Sequence, residues 1–305
     1  MAVATKSAKR STKQNTTVDS EPKIDIYESI TNKIVAQLES GVLPWNSQWK
    51  KRSCNSRPLR ACGVPYGGIN VLQLWMTAMD CGYSSPYWMT FNQAKELGGN
   101  VKKGEKGTRV VYASTFTKED EAGKEVAIPF LKSYVVFNVE QCENLPAKFY
   151  PEVKDEEIVN EGERIENADK FFASLGSKVS YGGSRACYIP SMDAIEMPNF
   201  EDFVSPEAFY SVLAHEHIHW TAKRVERDLG GKRFGDEGYA MEELVAELGS
   251  AFTCADLGIN SMAKPDHAAY IQSWIRVLKG NTRAIFTAAS MASKSVEYLT
   301  SLQKG

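Results

Sequence analysis

Three of the chain's four histidines fall within five consecutive positions, in the segment AHEHIHW at 214–220. His215, Glu216 and His219 spell H-E-x-x-H, a pattern that dictates local structure. In an α-helix residues i and i+4 lie on one face, one turn apart and close enough to share a ligand. Two imidazoles so placed can bind one cation at metal–nitrogen distances of about 2.0–2.1 Å. Glu216, about 100° round the helix, can take a proton from a water molecule that the cation polarises. His217 lies about 200° from His215 and reads as a bystander. Ser205 and Pro206 supply the N-cap and first position of this helix.

A zinc site of this kind needs a third protein ligand and an open position. The next helical segment, MEELVAELGSAF, offers Glu242, Glu243 and Glu247. Glu243 and Glu247 share one face at i, i+4. Glu243 is the expected third ligand, and Glu247 the expected acceptor for the outer N–H of a ligand histidine. Glu242 reads as a solvated neighbour. The E-x-x-x-E pattern resembles the gluzincins, in which a ligand Glu is followed four residues later by an acidic residue. ACYIPSMDAIEMP at 186–198 is the candidate edge strand beside the metal. His267 and Tyr270 read as an ordinary surface histidine and a packed tyrosine, although either residue type could donate to an oxyanion.

The first part of the chain points elsewhere. Residues 1–118 hold 17 Lys+Arg against 8 Asp+Glu, whereas 119–305 hold 19 against 30. A basic half joined to an acidic half suggests two tasks, the basic one directed at a polyanion. Trp45, Trp49 and Tyr66 are interleaved with Lys50, Lys51, Arg52, Arg57 and Arg60, and a second basic cluster holds Lys102, Lys103, Lys106 and Arg109. Cations neutralise phosphates and aromatic rings stack on unpaired bases. Single-stranded nucleic acid is therefore the expected partner, with duplex bound more weakly. No helix-turn-helix, zinc-finger or RNA-recognition signature is present.

The expected fold class is α+β. Helices are predicted over 25–41, 69–82 and 90–99, with capping boxes from Asp25 and Glu28 and from Thr90 and Gln93. A strand from 108 and another over 130–142 read as a long-looped hairpin. Short strands follow near 178–183, 186–190 and 193–198, and the chain is helical almost throughout from Ser205. The expected domains are a basic tail over 1–22, a DNA-binding domain over 23–148, an acidic linker over 149–164, and a mainly helical metal domain with a small sheet over 165–305. No run approaches 18 apolar residues, so no membrane span is expected. The six cysteines form no CxxC pair, and the first residues lack the apolar region of a secretory signal. Both features fit a cytoplasm.

LESGVLPWNSQW, PYGGINVLQLW, GYSSPYWMTFNQAKELGGNVKKGEKGT, YVVFNVEQCENLP, HEHIHWT and EELVAELGSAF fall in the order found in ArdC-like antirestriction proteins. The resemblance covers about residues 23 to 300 and extends to the N-terminal part of plasmid TraC primases. His217 departs from it, since members often carry an apolar residue there. The resemblance implies a protein of conjugative plasmids and related mobile elements. Its N-terminal domain would bind single-stranded DNA and its C-terminal domain would be a zincin-like metallopeptidase. It would protect incoming DNA from host restriction, with a restriction component as the protein substrate. One Zn2+ is the expected cofactor, other divalent metals being alternatives. A binding protein with a structural or vestigial metal site is the competing reading. A zinc phosphodiesterase is the weakest, because nucleases usually use two metals.

Overall fold

Helices form where an apolar residue recurs every third or fourth position. The first, α1 (Ile26–Glu39), buries Ile30, Ile34, Val35 and Leu38 along one stripe. Asp25 caps it by accepting the Tyr27 N–H, one residue short of the Glu28 position a capping box would use. Strand β1 (Leu59–Arg60) precedes α2 (Ile69–Cys81), which ends at left-handed Gly82. Then come β2 (Tyr87–Met89) and α3 (Phe91–Glu96), whose capping box joins Thr90 and Gln93 as the sequence implies. The computed structural model describes residues 25–46, 56–119, 125–150, 165–229, 236–262 and 267–304.

Strand β3 (Asn100–Val101) leads to the hairpin of β4 (Thr108–Glu119) and β5 (Glu125–Asn138), and β6 (Cys142–Glu143) closes the N-terminal half. One sheet runs β1-β2-β5-β4, and β3 pairs with β6. The hairpin register runs from Thr108↔Val136 to Glu119↔Glu125. β4 is an edge strand, and the Asn70 amide occupies its outer side, bonding both the N–H and the C=O of Val111 at 2.8 Å.

In the C-terminal half, α4 (Glu166–Ala173) is followed by β7 (Lys178–Tyr181), β8 (Cys187–Ile189) and β9 (Ala194–Met197), in sheet order β7-β9-β8. Four longer helices follow among the described residues: α5 (Pro206–Thr221), α6 (Glu237–Leu257), α7 (His267–Gly280) and α8 (Ala284–Ser301). The sequence reads as continuously helical across the last junction, but the chain turns at 281–283. Gly280 weakens the helix and the Asn281 side chain accepts the Arg283 N–H, which favours a turn. The turn lets α8 pack against both α5 and α6. No helix among the described residues is long and apolar enough to cross a membrane.

The expected boundary at 149–164 falls almost wholly outside the described residues. The apolar core does not divide there. One cluster includes Ile34, Trp45, Leu72, Trp75 and Val110 together with Phe209, Leu244, Phe252, Trp274 and Ile285. Trp45 meets Trp274 edge-on and Trp75 meets Phe252 likewise, each at 5.7 Å between ring centroids. A smaller core of Met89, Ala94, Val139, Cys142, Leu145 and Phe149 sits under α3 and belongs to the N-terminal half alone.

Candidate metal centre

Ser205 starts α5 by accepting the Ala208 N–H at 3.2 Å, and Pro206 occupies the first turn. The helix lies close to α6 because Gly249 faces Ile218. A Cβ at 249 would sit 2.7 Å from the Ile218 side chain. This approach brings the carboxylates of α6 to the histidines of α5.

His215 Nε2 and His219 Nε2 are 3.1 Å apart. Glu243 Oε2 lies 3.5 Å from the first and Glu243 Oε1 3.6 Å from the second. One ligand atom from each residue falls within a 4.8 Å group. Ligands about 2.0–2.1 Å from a tetrahedral ion stand about 3.3 Å from each other, so the trio fits a divalent cation. A carboxylate oxygen lies near each outer nitrogen: Glu247 Oε1 is 3.0 Å from His215 Nδ1, and Glu242 Oε1 is hydrogen-bonded to His219 Nδ1 at 2.9 Å. A carboxylate accepting from Nδ1 leaves Nε2 as a lone-pair donor.

Glu242 is therefore no solvated neighbour, as its sequence position suggests. It is buried, and Arg227 donates to both of its oxygens at 2.8 and 2.9 Å. Burial alone would raise its pKa, but His219 and Arg227 outweigh that and hold the carboxyl below its ordinary value. Periodicity could not reveal this, because Arg227 lies in a loop outside any helical pattern.

Glu216 is 3% exposed, and its Oε2 accepts the Tyr188 N–H of β8 at 2.8 Å. β8 is thus an edge strand laid across α5. Its turn is clamped by Arg224, which bonds Asp193, stacks over Trp220 at 3.5 Å and draws the Asp193 pKa down to about 2. Tyr188 donates to the same Asp193, and burial with that bond raises its pKa to about 12. His217 points away from the trio, between Leu213 O at 2.7 Å and Ser177 Oγ at 2.8 Å. Tyr239, one turn before Glu243, was not singled out by the sequence. Its hydroxyl meets that of Tyr270 at 3.2 Å, and burial, Tyr270 and Glu243 all raise its pKa. The side chain of His267 lies outside the described residues.

The basic residues scatter more widely. Trp45 and Tyr66, expected on the DNA face, are core residues at 3% and 7% exposure, so neither offers a ring to a base. Arg57 spends its fork on Asp256 of α6, with both bonds at 2.6 Å. Arg60 is exposed above the Tyr66 ring. Lys102, Lys103, Lys106 and Arg109 are exposed, Lys102 donating to Glu140 O at 2.8 Å. Trp49, Lys50, Lys51 and Arg52 lie outside the described residues. The hairpin adds rings the sequence reading passed over. Tyr112 is 51% and Tyr134 46% exposed, on one face with Lys132.

Comparison with known proteins gives two family matches. Residues 24–137 match the N-terminal domain of anti-restriction factor ArdC, and residues 166–291 match a zincin-like metallopeptidase. The chain is 40% identical over 291 residues to the protein y4eC of Sinorhizobium fredii, covering 92% of each. It is 36% identical over 306 residues to a DNA primase TraC of Escherichia coli, spanning 93% of the chain but 20% of the primase. Against a second TraC of that species it is 34% identical and spans 28% of the primase. Among solved structures, the metal-free crystal form of antirestriction ArdC from the R388 plasmid superposes with a TM-score of 0.78 at 41% identity, covering 92% of this chain and 98% of that one. The Mn(II)-bound form gives 0.75 at 39% identity with the same coverage.

Proposed function

The chain belongs to the family of ArdC antirestriction proteins, and on that premise we propose that it protects incoming DNA from restriction in the bacterial cytoplasm. It holds single-stranded DNA on its N-terminal half and hydrolyses a protein, a restriction component, at a divalent-metal site. His215, His219 and Glu243 hold the cation, with zinc the first choice. The observation that carries this reading is the convergence of those three ligand atoms, each histidine having a carboxylate at its outer nitrogen.

When bound, the cation polarises a substrate carbonyl and activates water. Glu216, fixed by the Tyr188 N–H, is the base that accepts the proton. The edge strand β8 supports an extended peptide beside it, as strand addition does in other peptide sites. For DNA, the exposed Lys103, Lys106 and Arg109 contact phosphates, while Tyr112 and Tyr134 offer rings to unpaired bases. Duplex DNA, with its bases stacked inward, binds more weakly.

A second reading, in which the metal is structural and protection comes from DNA binding alone, draws on burial: His215 is 2% exposed. Structural sites are closed, whereas catalytic ones keep an open position. Glu216→Gln separates the two. With metal stoichiometry unchanged, hydrolysis should fall by about 10²–10⁴-fold, and protection of conjugated DNA should disappear with it. Intact protection by a metal-loaded Glu216→Gln protein would select the binding-only reading.

A further inference from the structure

Three carboxylates of α6, Glu242, Glu243 and Glu247, lie against the two ligand histidines. Two suffice for the roles given above to a ligand and the partner of His215, the base being Glu216 of α5. Glu242 is buried within the same cluster, one residue from the ligand Glu243, and is chemically able to be a ligand itself. Its two oxygens are engaged elsewhere. Oε1 lies at His219 Nδ1, and both oxygens accept from Arg227.

We infer that Arg227 is a positioning residue for the metal centre, acting through Glu242 to fix His219 and to keep Glu242 out of the ligand set. The inference rests on the metal-centre reading above. The fold is built to deliver this arginine. After α5 the chain makes a 3₁₀ turn over Ala222–Val225, and Glu226 adopts the left-handed region at φ +54°. A non-glycine residue there is uncommon and costs conformational energy. The reversal folds Arg227 back beneath the helix, with its N–H on Ala222 O at 2.7 Å.

The guanidinium is almost wholly buried, and three of its nitrogens are used. Nη1 donates to Ser295 Oγ of α8 at 2.6 Å, and Nη2 to Ile218 O, one residue before His219, also at 2.6 Å. Nε and Nη2 form the fork on Glu242. A planar fork fixes the plane of the carboxylate it binds, which a lysine ammonium cannot do. The Glu242 plane in turn sets the direction of the His219 ring, and hence where Nε2 aims.

The test is equilibrium Zn2+ affinity, measured by competition with a chelating dye on full-length protein, with circular dichroism of each metal-free variant as the check on folding. Arg227→Met should weaken Zn2+ binding by about 10–100-fold, and Arg227→Lys should fall between it and wild type. Adding Arg227→Met to Glu242→Gln should cost little beyond Glu242→Gln alone, because the arginine works through that carboxylate. Wild-type affinity in a folded Arg227→Met protein would overturn the inference, and so would a loss that adds in full to that of Glu242→Gln. If Arg227→Met fails to fold, Arg227→Lys decides by the same comparison, wild-type affinity again overturning it. If wild type binds no Zn2+, the metal-centre reading falls, and this inference with it.

Discussion

Cys254 on α6 and His217 on α5 show what burial does to a titratable side chain in this protein. His217 is fully enclosed, and burial outweighs its bond to Leu213 O and lowers its pKa to about 4. It stays neutral, donating from Nδ1 and accepting the Ser177 hydroxyl at Nε2. The histidine that breaks the resemblance to other members is thereby a satisfied core residue. Cys254 is raised from 9.0 to about 11, chiefly by burial. The unfolded thiol ionises first as pH rises, so the stabilisation is complete below about pH 9 and is lost towards pH 11. Urea unfolding should show midpoints falling across that window, and Cys254→Ala should flatten the fall. A thiol reagent at neutral pH should label the exposed Cys62 and Cys81 while sparing Cys254 until the protein unfolds.

Between elements, the α5–α6 contact and the β4–β5 hairpin carry the two proposed tasks. Gly249→Ala places a methyl group against Ile218 and must push the helices apart, which costs about 1–3 kcal/mol. Thermal unfolding should register that loss, and metal affinity should drop with it, since the ligands come from both helices. On the hairpin, Tyr112→Ala and Tyr134→Ala should each weaken single-stranded DNA binding by about 1–3 kcal/mol in fluorescence anisotropy, with Zn2+ binding unchanged. Unchanged DNA affinity in both would move the interface off this face. The grouping of His215, His219 and Glu243 was legible in the sequence because i, i+4 spacing on one helix and a Glu on the next are local signals. The burial of Glu242 was not, because it depends on Arg227 and Ser295, and nothing local ties either to α6. Trp45 and Tyr66 failed for the same reason: an aromatic next to lysines looks exposed until its packing partner, here Trp274 for Trp45, is known.

For the molecule as a whole, the α+β class, the β4–β5 hairpin and most helices were readable from periodicity and turn residues, whereas the short strands β1, β2, β3 and β6 and the break between α7 and α8 were not. The sharing of one core between the two halves was not, since a helix's apolar stripe does not name what covers it. Sharing has a thermodynamic consequence. A ligand that binds only the folded state stabilises everything that unfolds with it, by about 4 kcal/mol at a thousandfold excess over Kd. Saturating Zn2+ should therefore slow hydrogen exchange in α1 and α2 as well as in α5 and α6. Slowing confined to α5 and α6 would show that the halves open separately. The shared core also bears on inheritance. A recombination event that broke the gene between the N-terminal and C-terminal halves would strand Trp45 and Trp75 without Trp274 and Phe252, leaving apolar surface on both products. The region is expected to be inherited as one unit, and its match to TraC primases, 93% of this chain set within far longer proteins, has that form.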